Sequence, residues 1–141
     1  METLELVCPA GTPAALRVAV TAGADAVYVG FRDETNARNF PGLNFSPEEL
    51  AEAIDFAHER GVKVYLAVNT YAKAGNNEPW IKAIDNADRL KVDAIILADI
   101  GLLDYAANKY PDLRLHLSVQ ASASNPTSIN SQYWVEQQNG L

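Results

Sequence analysis

Ala24-Asp25-Ala26-Val27-Tyr28-Val29 and Val92-Asp93-Ala94-Ile95-Ile96-Leu97 are two statements of one pattern. Each enters through a small or acidic residue and continues as an apolar run. Gly61-Val62-Lys63-Val64-Tyr65-Leu66 is a looser third copy. β-branched and aromatic residues such as Val-Tyr-Val favour strands. A repeated strand-leading unit suits a (β/α) barrel more than a doubly wound sheet.

Helical patterns separate these strands. Thr12 stands as N-cap before Pro13, with Ala15, Leu16, Ala19 and Val20 as a buried stripe and Gly23 as the stop. Ser46-Pro47-Glu48-Glu49 predicts a capping box, and Leu50, Ala53, Ile54 and Ala57 recur at helical spacing. Further helices are expected near Pro79 to Leu90, Leu102 to Tyr110, and Pro126 to Gln138, the last with Gly140 as C-cap. Strands are expected at Leu4 to Val7, Ala26 to Val29, Val62 to Val68, Ala94 to Leu97 and Leu113 to Val119. Strands separated by helices imply right-handed crossovers and a parallel sheet. The fold class is therefore α/β, an incomplete TIM-barrel-like portion with about five of the eight strands of a closed barrel. Residues 1–141 are expected to form one barrel-type segment cut from a longer protein. An independent five-strand open sheet is the alternative.

Loop lengths locate the site. Helix-to-strand turns are short, whereas Gly30 to Phe45 and Asn69 to Glu78 are long strand-to-helix loops. Long loops within a compact domain are usually functional or disordered. Elaboration on the C-terminal side of the strands is how parallel α/β proteins build sites.

Composition narrows the function. The 141 residues include 18 Asp and Glu against 11 Lys and Arg, a net charge of −7, with no cationic cluster. Phosphate-backbone binding needs several cations, so nucleic acid is an unfavourable partner for this segment. The same balance disfavours an anionic membrane surface. No apolar run reaches the roughly 18–20 residues of a membrane span. The start METLELVCPA lacks the features of a signal peptide, so a cytoplasmic location is the default. A single cysteine makes neither an internal disulfide nor a metal centre by itself.

Arg38 is the leading candidate for ligand contact, because a guanidinium takes a carboxylate through two parallel hydrogen bonds. Asn36, Asn39 and Asn44 in the same loop read polar groups or make turns. Gly11 with Thr12 offers helix N-terminal N–H groups to an anion. Tyr28, Asn69, Asp99, Ser118 and Gln120 fall at or near strand ends. Ser118, Gln120 and Ser122 alternate, so on one strand they share a face. Each has a plainer reading as a turn or cap residue, and Asp99 as the cap of a helix starting near Gly101. Cys8 reads as a site-facing thiol or as a small buried hydrophobe before a turn. His58 reads as a solvated helix-end residue, His116 as a satisfied core histidine, and Trp80 and Trp134 as packing residues. No metal-ligand spacing is present, and no catalytic residue is identified.

Taken in order, Val7-Cys8-Pro9-Ala10-Gly11, Gly23 to Gly30, Thr35-Asn36-Ala37-Arg38-Asn39-Phe40, Gly42-Leu43-Asn44-Phe45, Asn69-Thr70, Leu97-Ala98-Asp99 and Ser118-Val119-Gln120-Ala121-Ser122 resemble the collagenase-like peptidase family of unknown catalytic type. The Thr-Asn-Ala-Arg and Gly-Leu-Asn-Phe pieces are most similar to its UbiU-like branch. The resemblance implies the first five βα units of a barrel-like protein about twice this length. It implies a component of oxygen-independent hydroxylation of ubiquinone precursors, with prephenate as hydroxyl donor and a UbiV-like partner. It further implies an iron–sulfur cluster held by four cysteines in the later half, none matched by Cys8, so that this segment alone is inactive. Relatives that hydroxylate RNA or carry a peptidase label mark the alternatives, as does a non-catalytic, partner-binding scaffold half. Self-association of the segment is also expected, because a cut barrel exposes strand edges.

Overall fold

Alternating apolar strands and amphipathic helices leave one economical arrangement, a parallel sheet with helices packed on it. The computed structural model describes residues 3–122 and shows that arrangement. The order is β1 (Val7–Pro9), α1 (Pro13–Thr21), β2 (Ala26–Val29), α2 (Pro47–His58), β3 (Lys63–Val68), α3 (Glu78–Leu90), β4 (Ala94–Leu97), α4 (Ile100–Lys109) and β5 (Leu115–Leu117). A short 3₁₀ turn follows at Val119–Ala121. All four strand pairings are parallel. The sheet order β1-β2-β3-β4-β5 follows the chain, and among the described residues it does not close into a barrel.

The helix starts follow from their side chains. Thr12 accepts the Ala15 N–H, and Ser46 exchanges hydrogen bonds with Glu49 in a complete capping box. Asp99 caps α4 by accepting from Gly101 and Leu102. These caps leave the helix N-termini at the rim where the strands end.

The core lies between sheet and helices. Leu50, Ala53, Ile54 and Ala57 of α2 are all buried. Val27, Val64, Leu66, Ile95 and Leu97 meet them from the sheet. The opposite strand positions form the concave face. Ala26, Tyr65 and Ala94 are buried there, with Tyr28 and Ile96 packed beside them. Because Ala94 has almost no side chain, the Tyr65 ring crosses β4 to meet His116, at 5.4 Å between centroids. Burial pushes the His116 imidazole below its ordinary value, Arg114 adds to this, and Glu5 opposes it.

Several expected elements move. β1 begins at Val7 rather than ending there, because Pro9 still pairs with Tyr28. β3 starts one residue later than expected. α4 starts at Ile100, two residues early, and Asp99 is its cap, as its plainer reading has it. β5 is confined to Leu115–Leu117, because the Ser118 hydroxyl accepts the Gln120 N–H and turns the chain. Ala15 is exposed, so only Leu16 and Val20 of its stripe are buried. The helix expected near Pro126 to Gln138, with Trp134 and Gly140, lies outside the described residues.

Candidate functional site

The long loop after β2 is built around two glycine-like positions. Gly30 has no room for a side chain, since an added Cβ would collide with the Asn36 side-chain amide. Asn44 adopts φ 72°, a left-handed conformation that asparagine tolerates better than most residues. Phe31 and Phe45 bridge the two ends of the loop, and both are buried.

Polar side chains then lace this loop to the others. Asn44 donates its backbone N–H to the Gly11 carbonyl at 2.6 Å. Its side chain donates to the Arg38 carbonyl at 2.8 Å. Asn36 accepts the Arg38 N–H at 2.9 Å. Asn69, just past β3, accepts the Ala37 N–H at 2.9 Å. The Thr70 hydroxyl donates to the Glu34 carbonyl and accepts from the indole of the buried Trp80. Asp99 accepts the Ala72 N–H at 3.1 Å, and the Tyr71 hydroxyl donates to the Gln120 carbonyl at 2.7 Å. Contacts between neighbouring loops thus join Gly11, Arg38, Asn44, Asn69, Asp99 and Gln120 along the C-terminal rim of the sheet.

The individual residues differ in what they leave free. Both Asp99 carboxylate oxygens accept backbone N–H groups, so it works as a cap and loop tie. Ser118 is buried and its hydroxyl caps the 3₁₀ turn. Because β5 ends before it, Ser118, Gln120 and Ser122 do not alternate on one strand, and Ser122 turns left-handed at φ 53°. Gly11 enters the network through its carbonyl. Tyr28 faces the concave side of the sheet, half-buried. Cys8 is partly buried and packs against the helix-side core. His58 is at the other end of the sheet, where Nε2 lies 2.7 Å from Asp93.

Three cations stand on the rim loops. Arg32 ties the loop to α2, reaching the Leu43 and Asn44 carbonyls and Glu49. That arrangement lowers the Glu49 carboxyl, chiefly through the backbone hydrogen bond of Ser46 and then through Arg32. Lys73 pairs with Glu34 at 3.0 Å. The exposed Arg38 side chain has no partner among the described residues. Sequence reasoning missed Thr35, which is fully buried and held by Asp33 through both its N–H and its hydroxyl. The Asp-x-Thr spacing is a local turn signal that pointed to it. It also missed Tyr71, whose role depends on a loop distant in sequence.

Among the described residues no three His, Cys, Asp or Glu side chains gather to hold a metal ion. One sulfur, turned toward the core, does not fit an iron–sulfur cluster.

Parallel βα units with polar groups gathered beyond the strand C-termini define a barrel-type α/β protein. A type I 3-dehydroquinate dehydratase from Clostridium difficile shares the fold, with a TM-score of 0.58 at 16% identity over 81% of this chain and 51% of its own. The chain belongs to peptidase family U32, whose family model matches residues 11–138. It is 36% identical to tRNA hydroxylation protein P1 of Bacillus subtilis over 136 residues, covering 94% of this chain and 31% of that protein. It is 34% identical to a collagenase of Porphyromonas gingivalis over 125 residues, covering 89% of this chain and 30% of that protein. The chain therefore spans about a third of the length of these relatives.

Proposed function

We propose that the chain forms the N-terminal part of a UbiU-like component that hydroxylates a ubiquinone precursor without oxygen. Prephenate is the hydroxyl donor in this reading, and a UbiV-like protein is the partner. Family membership and a relative named for tRNA hydroxylation support hydroxylation as the general chemistry. The observation that carries the finer reading is Arg38, an exposed rim guanidinium whose charge no carboxylate among the described residues neutralises. Prephenate bears carboxylates, which a guanidinium fork matches. The iron–sulfur cluster expected for such a component needs ligands from outside this chain.

A second reading takes RNA as the acceptor, favoured by the name of the Bacillus subtilis relative. The charge of −7 speaks against it for this segment. Peptide hydrolysis is disfavoured on geometry. Ser118 is engaged in a cap and His116 packs at a tilt against the Tyr65 ring, and no hydrogen bond joins the two among the described residues.

Deleting the gene and growing the cells without oxygen tests the assignment. Quinone is expected to fall while hydroxylated tRNA nucleosides persist. The reverse pattern supports the RNA reading, and no change in either product sinks both. Restoring the gene with Arg38→Ala is expected to leave quinone formation deficient.

A further inference from the structure

The geometry points to Asn36, Asn44 and Asn69 as positioning residues that hold Arg38 as a preset anchor for a carboxylate ligand. This rests on the reading of Arg38 as an anion-binding residue and adds how the fold prepares it. It reassigns Asn44 and Asn69 from ligand contact to support.

Three backbone groups of Ala37 and Arg38 are each bound by an asparagine side chain. The Ala37 N–H goes to Asn69, the Arg38 N–H to Asn36, and the Arg38 carbonyl to Asn44. Asn36 is 8% exposed and Asn44 6%. Amides so buried are unfavourable unless hydrogen-bonded, and here much of their bonding goes to the backbone of one exposed residue. The local fold is shaped to keep them there. Gly30 leaves the space that Asn36 fills, and Asn44 holds a left-handed backbone. Arg32, in the same loop, spends its guanidinium on loop carbonyls and Glu49 and so already fastens the loop. The clamp on Arg38 adds something different: it fixes the root of a cation whose head has no partner among the described residues. Fixing the root beforehand lowers the ordering cost on binding. The free planar fork suits a carboxylate bidentately.

The test uses the 141-residue chain, labelled with nitrogen-15 and titrated with malonate. The arginine Nε–H signals report the site. Wild type is expected to show a saturable shift of one such signal, which Arg38→Ala abolishes. Asn44→Gly keeps the left-handed backbone but removes the side-chain donor to the Arg38 carbonyl, leaving only the Phe40 N–H on it. It is expected to weaken malonate roughly three- to tenfold, the range for one immobilised side chain. Asn69→Ala, away from the left-handed position, is expected to act in the same direction. The Arg38→Ala, Asn44→Gly double variant is expected to bind no worse than Arg38→Ala alone, because the asparagine acts only through the arginine. Unchanged affinity in both asparagine variants, a further loss in the double variant, or no Arg38-dependent response to malonate overturns the inference. Inorganic phosphate binding Arg38 more tightly than malonate overturns the ligand class. Malonate binding that behaves as expected, beside intact quinone formation in the deletion strain, would leave the anchor standing and remove only the proposed reaction.

Discussion

Asn44 places two demands on one residue: its backbone turns left-handed at φ 72°, and its buried side chain must reach the Arg38 carbonyl. Glycine meets the first demand and alanine neither. Loss of a hydrogen bond of this kind costs about 1 kcal/mol. A left-handed alanine adds about 1–2 kcal/mol. Asn44→Ala is therefore expected to be more destabilising than Asn44→Gly, by about 1 kcal/mol after partial relaxation. Urea unfolding of the two variants beside wild type measures this, and equal midpoints would count against it. The sequence made this loop legible as polar and long, and it singled out Arg38, Asn36 and Asn44. It did not reveal which amides turn inward. That depends on Gly30 beside Asn36 and on the Gly11 carbonyl above Asn44, which belong to positions brought together only by the fold. Asp99 shows the opposite case. Its cap role is readable from the nearby Gly101, but its second oxygen, holding Ala72, is not.

Strand entry shows why the echo in the sequence exists. Asp25 accepts the Leu6 N–H at 2.8 Å, and Asp93 accepts the Val64 N–H at 2.7 Å. Each aspartate thus fastens the start of its own strand to the preceding one. The looser copy has Val62 in that place, and the next residue, Lys63, donates its N–H to the Asp25 carbonyl instead. β2 and β4 are legible in the sequence because an acidic entry and an apolar run coincide there. The bounds of β1 and β5 are not, because short edge strands end where side-chain caps and loops dictate. The outer helices add a tie that spacing alone does not disclose. Asp85 of α3 accepts from the hydroxyls of Tyr105 and Tyr110 and from Lys109. Burial pushes the Asp85 carboxyl up, but Tyr110, Tyr105 and Lys109 together outweigh it and hold it below its ordinary value. A folded-state value below the unfolded one stabilises the fold above the ordinary carboxylate range. That contribution disappears as pH falls through the lowered folded value. Asp85→Asn is therefore expected to melt below wild type at neutral pH, with the gap narrowing in strong acid. A gap that stays constant between neutral and strongly acidic buffer would assign the tie to geometry rather than charge.

At the scale of the molecule, the sheet that gathers the rim also leaves β1 and β5 each paired on one side only among the described residues. Among the described residues nothing pairs beyond β1 or β5. Beside β1, Leu4 is 98% exposed and Leu6 53%, and past β5 Val119 is 91% exposed. Unpaired edges flanked by apolar side chains recruit further strands. The charge of −7 opposes such contacts by repulsion between copies. Salt screens that repulsion over about 10 Å at 0.1 M while leaving edge pairing and apolar burial in place. The two forces therefore predict opposite salt trends. If edges and apolar contacts dominate, the chain of 15.3 kDa scatters light as a larger species whose mass rises with added salt. If attraction between charged groups holds copies together, salt dissociates them. We expect the first trend. A lysine beside an edge strand discourages pairing, so Leu4→Lys is expected to shift the population toward monomer at every salt concentration. A wild-type mass of one chain across the whole salt range would show that the described edges are not available for association, and would remove self-association from the properties of this fold.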